Sequence, residues 1–159
     1  MKWLVSILCT IFLAHPAYAD GDKMRVPDNA KLKEECGSCH VVYPPKLLAA
    51  ADWQRLMSGL DKHFGANAEL DAGDNKVLLD FLQRHAGNVA KHGAASMRIS
   101  DTPWFKREHA GLSAKAWSHP QVKRSANCTA CHVNAERGDW SERGIRMPGG
   151  LRYEEEGDD

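Results

Sequence analysis

The sequence predicts a mainly α-helical chain in two small halves, on three observations. Apolar residues recur at helical spacing over Trp53 to Phe64 and again over Val77 to His85. No convincing strand pattern is present. One pentapeptide pattern, Cys-x-x-Cys-His, occurs twice and far apart, at Cys36-Gly-Ser-Cys39-His40 and at Cys128-Thr-Ala-Cys131-His132.

Residues 1–19 read as a secretory signal peptide. Lys2 supplies the positive start, Trp3 to Leu13 the apolar stretch, and Ala17-Tyr18-Ala19 a small-residue cleavage site. The stretch falls short of the roughly 20 apolar residues of a membrane-spanning helix. Cys9 lacks the small-residue context of a lipid-anchor site. Cleavage after Ala19 leaves a chain that starts at Asp20, exported to the periplasm and without a membrane span.

Residues 20–29 form a polar lead-in. A short helix is expected over Lys31 to Cys39, and Pro44-Pro45 stops its continuation. The next helix runs from Ala50 to Phe64, capped by Asp52, with Trp53, Leu56, Met57, Leu60, His63 and Phe64 on one stripe and Gly65 as its stop. Another starts within Asp71 to Asp74 and carries Val77, Leu78, Phe81, Leu82 and His85, ending at Gly87. Ala86 to Ser96 reads as a low-complexity connector. Thr102-Pro103 is an N-cap followed by proline at the first helical position, opening a helix with Trp104, Phe105, His109 and Leu112. Beyond Ser118-His119-Pro120 the pattern becomes irregular. The expected organisation is a signal peptide (1–19), an N-terminal domain (20–96), a C-terminal domain (97–153) and an acidic tail (154–159), Glu154-Glu155-Glu156-Gly157-Asp158-Asp159.

Charge excludes one class of function. Losing Lys2 with the leader takes the basic residues from 21 to 20, against 21 acidic ones. A near-neutral chain lacks the concentrated basic surface that a nucleic-acid partner wants. The cysteines are also informative, because all four outside the leader lie in the two pentapeptides.

Cys-x-x-Cys-His is a chemical requirement written in sequence. Each thiol adds to one vinyl group of a porphyrin, and two intervening residues let both sulfurs reach the same macrocycle edge. The following histidine then lies beneath the iron as its proximal ligand. A chance match in a chain this long is roughly one in a thousand, so two matches beside an export signal make covalent haem the reading of choice. A thiol–disulfide pair belongs with a βαβ pattern that is absent here. A zinc site does not explain the long gap from Cys39 to Cys128, nor a histidine directly after both pairs. The expected cofactors are two haems c, bound by Cys36, Cys39, Cys128 and Cys131, with His40 and His132 as proximal iron ligands. Two haems would also serve as apolar nuclei for a chain with a thin core of its own.

The sixth ligands are less legible. Histidine and methionine are the candidates, methionine being the one that raises the potential. His15 leaves with the leader. His63 ends the Trp53–Leu60 stripe, with His85 as its rival. His109 lies beside Trp104 and Phe105, with His119 as its rival. His92 sits in the connector. Met57 reads as core, and Met97 and Met147 are formal candidates. Periodicity leaves these alternatives open.

A resemblance bears on the choice. Glu-Glu-Cys-Gly-Ser-Cys-His with Tyr43-Pro44-Pro45-Lys46-Leu47-Leu48, then Trp53 and Met57-Ser-Gly-Leu60-Asp-Lys-His63-Phe64-Gly65, resembles the bacterial dihaem cytochrome c family. Arg98-Ile99-Ser100-Asp101-Thr102-Pro103-Trp104-Phe105 through His109, and Asn127 to His132, continue the likeness. It implies an all-α protein with two bis-histidine haems, the first half similar to a class I cytochrome c and the second less regular. It implies His63 opposite His40 and His109 opposite His132. It also implies redox partners, a small oxygen-binding monohaem cytochrome c or a membrane cytochrome b.

The function expected is single-electron shuttling between redox proteins, not enzymatic catalysis. Two imidazoles per iron hold the potentials below those of a histidine–methionine site. Trp104, Trp117 and Trp140 are expected to shield the second haem or serve as ordinary core aromatics. The rival readings are a peroxidase-like haem enzyme and a gas-binding module, each with one open or displaceable sixth position.

Overall fold

The computed structural model describes residues 24–152. The expected signal peptide and acidic tail lie outside the described residues. Within them the chain is mainly helical, with no strand and only isolated bridges.

Asn29 caps α1 (Ala30–Glu35), its side chain accepting from the Leu32 N–H. The helix ends on the first pentapeptide. Pro44 and Pro45 are buried, and a short 3₁₀ turn from Pro45 to Leu47 leads into α2 (Ala50–Met57). Here the structure departs from expectation in two ways. The cap position is Ala49, and Asp52 lies in the first turn, buried, where it holds Arg55 and accepts from the Ala94 N–H at 2.9 Å. A carboxylate there suits the positive helix end and also fastens a distant segment. Secondly, the helix stops at Met57 rather than running to Phe64. Ser58 turns its hydroxyl back to the Gln54 carbonyl at 2.7 Å, and Gly59 follows with φ −133°. A 3₁₀ turn, Leu60–Lys62, then carries the chain into Phe64 and Gly65, both at positive φ.

Asp71 caps α3 (Ala72–Arg84), accepting from Gly73 and Asp74. Helices α2 and α3 pack together, and their apolar faces form the core with Leu32, Leu48, Leu60 and Ala94. Leu48 and Leu78 are fully buried. The expected connector contains a helical turn, α4 (Val89–His92), because Asn88 caps it and His92 is buried at its end. As expected, Thr102 caps α5 (Pro103–Glu108), accepting from the Phe105 N–H at 3.1 Å. The Ser113 side chain caps α6 (Ala114–Trp117). The remainder is short 3₁₀ turns, in keeping with its irregular sequence. None of the described helices is long and apolar enough to cross a membrane.

Candidate haem sites

The first pentapeptide begins where α1 ends. The Cys36 N–H closes the helix onto Leu32, and the Gly37 N–H bonds to the Lys33 carbonyl at 3.1 Å. A Cβ on Gly37 would lie 2.3 Å from that carbonyl oxygen, so the tight turn between the cysteines needs glycine. His40 follows, its Nδ1 2.7 Å from the Val41 carbonyl. A carbonyl only accepts, so Nδ1 carries the proton and Nε2 keeps the free lone pair.

His63 comes from the loop after α2. Its N–H bonds to Leu60 and its carbonyl accepts from Ala66, so it sits at the tip of a tight turn, not on a helix face. The structure brings His40 and His63 together with ring centroids 6.2 Å apart and planes 21° apart. Burial lowers the affinity of His63 for a proton, with His40 and Arg98 adding to the effect, which keeps the imidazole in its ligating form.

His109 ends α5. Its Nδ1 lies 2.9 Å from the Phe105 carbonyl, which again leaves Nε2 free, and its ring stacks on Phe105 at 4.0 Å with Trp117 at 6.1 Å. The second pentapeptide forms a 3₁₀ turn, Cys128–Ala130, and the His132 N–H bonds to the Cys128 carbonyl at 2.9 Å. His109 and His132 face each other at 6.3 Å with planes 58° apart. Burial lowers the proton affinity of both rings.

These spacings test the residues against haem. An imidazole nitrogen binds a metal at about 2.0–2.1 Å, and its ring centre lies about 1.1 Å further on, so two imidazoles trans on one iron have centroids roughly 6.2–6.4 Å apart. Both pairs meet that value. The thiols fit as well. Burial, with the Glu35 charge adding at Cys36, pushes Cys36 and Cys128 up to about 11, which disfavours the thiolate form that a metal site would need. Finally, Nε1 of Trp140 and Nδ1 of His132 are buried without a partner among the described residues. Both lie beside the second candidate site, where a bound group could supply the missing partner.

A family model described as dihaem cytochrome c matches residues 32–140. The chain belongs to the dihaem cytochrome c family. It is therefore a haem-binding cytochrome with two covalently bound haems c. The X-ray structure of a diheme cytochrome type c from Shewanella baltica OS155 is 32% identical, with 81% of this chain and 100% of that chain covered and a TM-score of 0.68. A diheme cytochrome c from Rhodobacter sphaeroides is 35% identical, covering 73% of this chain and 99% of its own, at a TM-score of 0.63. No curated protein matches the chain.

In this dihaem cytochrome the other histidines stand elsewhere. His85 is exposed and packs on Phe81. His119 accepts from the Gln121 N–H and lies against Gly149. His92 is buried with Trp104 against it, and Trp117 lies beside His109. Met57 lies in the core. Tyr43, stacked on His40 at 4.9 Å, escaped sequence reasoning because no periodicity distinguishes a lone tyrosine after the pentapeptide.

Proposed function

We propose that this cytochrome is an exported one-electron carrier whose two irons are each closed by two imidazoles. Cys36 and Cys39 would tether the first haem, with His40 and His63 as the residues that would hold its iron. Cys128 and Cys131 would tether the second, with His132 and His109. Haem iron supplies reversible one-electron chemistry when bound.

One observation carries the reading: each proximal imidazole faces a second imidazole at the spacing of a closed, six-coordinate iron. The protein's part is to hold those rings still. His40 and His109 are oriented through their Nδ1 protons, and second-shell bonds of this kind fix the tautomer and raise ligand basicity. Ligands that stay in place through oxidation and reduction leave little to rearrange per electron. Phe105 and Trp117 keep water from the His109 ring. The partners would be other redox proteins, a small monohaem cytochrome c or a membrane cytochrome b, met outside the cytoplasm.

Carbon monoxide tests the reading. The reduced protein should keep a low-spin spectrum when the gas is added, and a redox titration should resolve two one-electron steps. A prompt spectral change would favour an enzyme or gas-binding module with an open site. The differing ring angles, 21° and 58°, predict two distinct low-spin ferric signals by spin resonance.

A further inference from the structure

Two aromatic residues stand next to the proximal histidines without being ligand candidates. Tyr43 follows the first pentapeptide closely and stacks on His40 at 4.9 Å, planes 26° apart. Trp140 follows the second and meets His132 at 5.7 Å. The two rings also meet each other, at 6.3 Å and 44°. All three separations lie in the roughly 4.5–7 Å range of aromatic pairs. An unbroken file of rings thus runs His40–Tyr43–Trp140–His132, from one proximal imidazole to the other. The distal imidazoles meet rings of their own segments instead: His63 meets Phe64, and His109 meets Phe105 and Trp117.

The file is locked at its centre. The Tyr43 hydroxyl donates to the Ala126 carbonyl at 2.9 Å, across 83 residues of sequence. Ala126 lies just before the second pentapeptide, beside Asn127, whose amide bonds to the Gln121 carbonyl at 2.9 Å. The Trp140 ring is wedged between Tyr43 and His132, and its Nε1 has no partner among the described residues.

We propose that Tyr43 and Trp140 form an aromatic bridge between the proximal imidazoles His40 and His132, and that this bridge sets the rate of electron exchange between the two haems. One electron leaves a ferrous iron and reduces a ferric iron at the other site. No bond or proton moves, and both bridging rings stay closed-shell. Tyr43 and Trp140 are positioning residues here, since neither ligates iron. The inference rests on the electron-carrier reading.

Interhaem exchange is measured in half-reduced holoprotein after rapid photoreduction, for the native chain and for Tyr43→Phe, Tyr43→Leu, Trp140→Phe and Trp140→Leu. Haem content, ferric spin-resonance spectra and both midpoint potentials are recorded alongside. Exchange should slow several-fold in each leucine variant and less in Tyr43→Phe, which keeps the ring and loses only the latch. The spin-resonance spectra should remain low-spin throughout. Leucine variants that keep two low-spin haems and exchange at the native rate overturn the bridge. Should one leucine variant fail to load both haems, the other decides: slower exchange at unchanged potentials supports the bridge, and native exchange overturns it. A native protein without two reversible one-electron steps would instead sink the carrier reading.

Discussion

The Nδ1 of His109 donates a 2.9 Å hydrogen bond to the Phe105 carbonyl, one turn back along α5. The helix end, its cap at Thr102 and the His109 imidazole are therefore mechanically one unit.

His109→Ala should retain both haems, because thioether tethering does not need the distal ring. One iron should become high-spin when ferric and bind carbon monoxide when ferrous. Visible and spin-resonance spectra check this, and a variant still wholly low-spin would dismiss His109 as a ligand.

His63→Ala should open the other iron and leave the signal of the second site intact. The near-parallel ring pair, at 21°, should be the one whose spin-resonance signal disappears. The double variant should lose both low-spin signals.

Thr102→Ala removes a fully buried cap that accepts from Phe105 and donates to the Ile99 carbonyl at 2.8 Å. The loss should be about 1–2 kcal/mol, the upper part of the range for such caps. Urea unfolding of the haem-loaded protein, with unchanged slope, measures it.

Gly87→Ala should be worse. A Cβ there would lie 2.0 Å from the Lys46 carbonyl oxygen and 2.6 Å from the His92 ring. Backbone cannot yield as a flexible side chain can, so the overpacking should exceed about 1–3 kcal/mol and lower the yield of folded protein. A thermal midpoint equal to that of the native chain would contradict the close packing of this loop on α4.

His92 predicts a pH dependence. Burial, then Lys46, Lys91 and Arg107, lower its proton affinity below the ordinary value of 6.5. The unfolded chain binds that proton near 6.5 and the folded chain only at lower pH. Stability from this group is thus intact above 6.5 and declines as pH falls below it, until the folded imidazole also protonates. His92→Leu should flatten that part of the curve of thermal midpoint against pH.

Residues close in sequence announced themselves well. The cap of α5 at Thr102 and that of α3 at Asp71 are bonds between near neighbours, and both were legible. The end of α2 was not. Its apolar stripe continues past Met57 into Leu60, His63 and Phe64, and all serve a folded core without serving one helix. The role of Asp52 is not legible either, because its partner Ala94 lies in a segment with no apolar pattern.

Haem tethering needs two thiols and an imidazole on one short stretch of chain, so composition and spacing suffice to announce it. The pairing of imidazoles does not work that way. His63 follows His40 by the same number of residues by which His109 precedes His132, so no rule of order links ligand to partner. Periodicity left His85 and His119 as rivals. Folding turns His85 onto Phe81 and His119 toward Gly149, and it sets His63 and His109 at about 6 Å from the two motif histidines. The contact of Tyr43 with Trp140 is of the same long-range kind. It depends on how two remote loops pack, and local sequence carries no energy term for that.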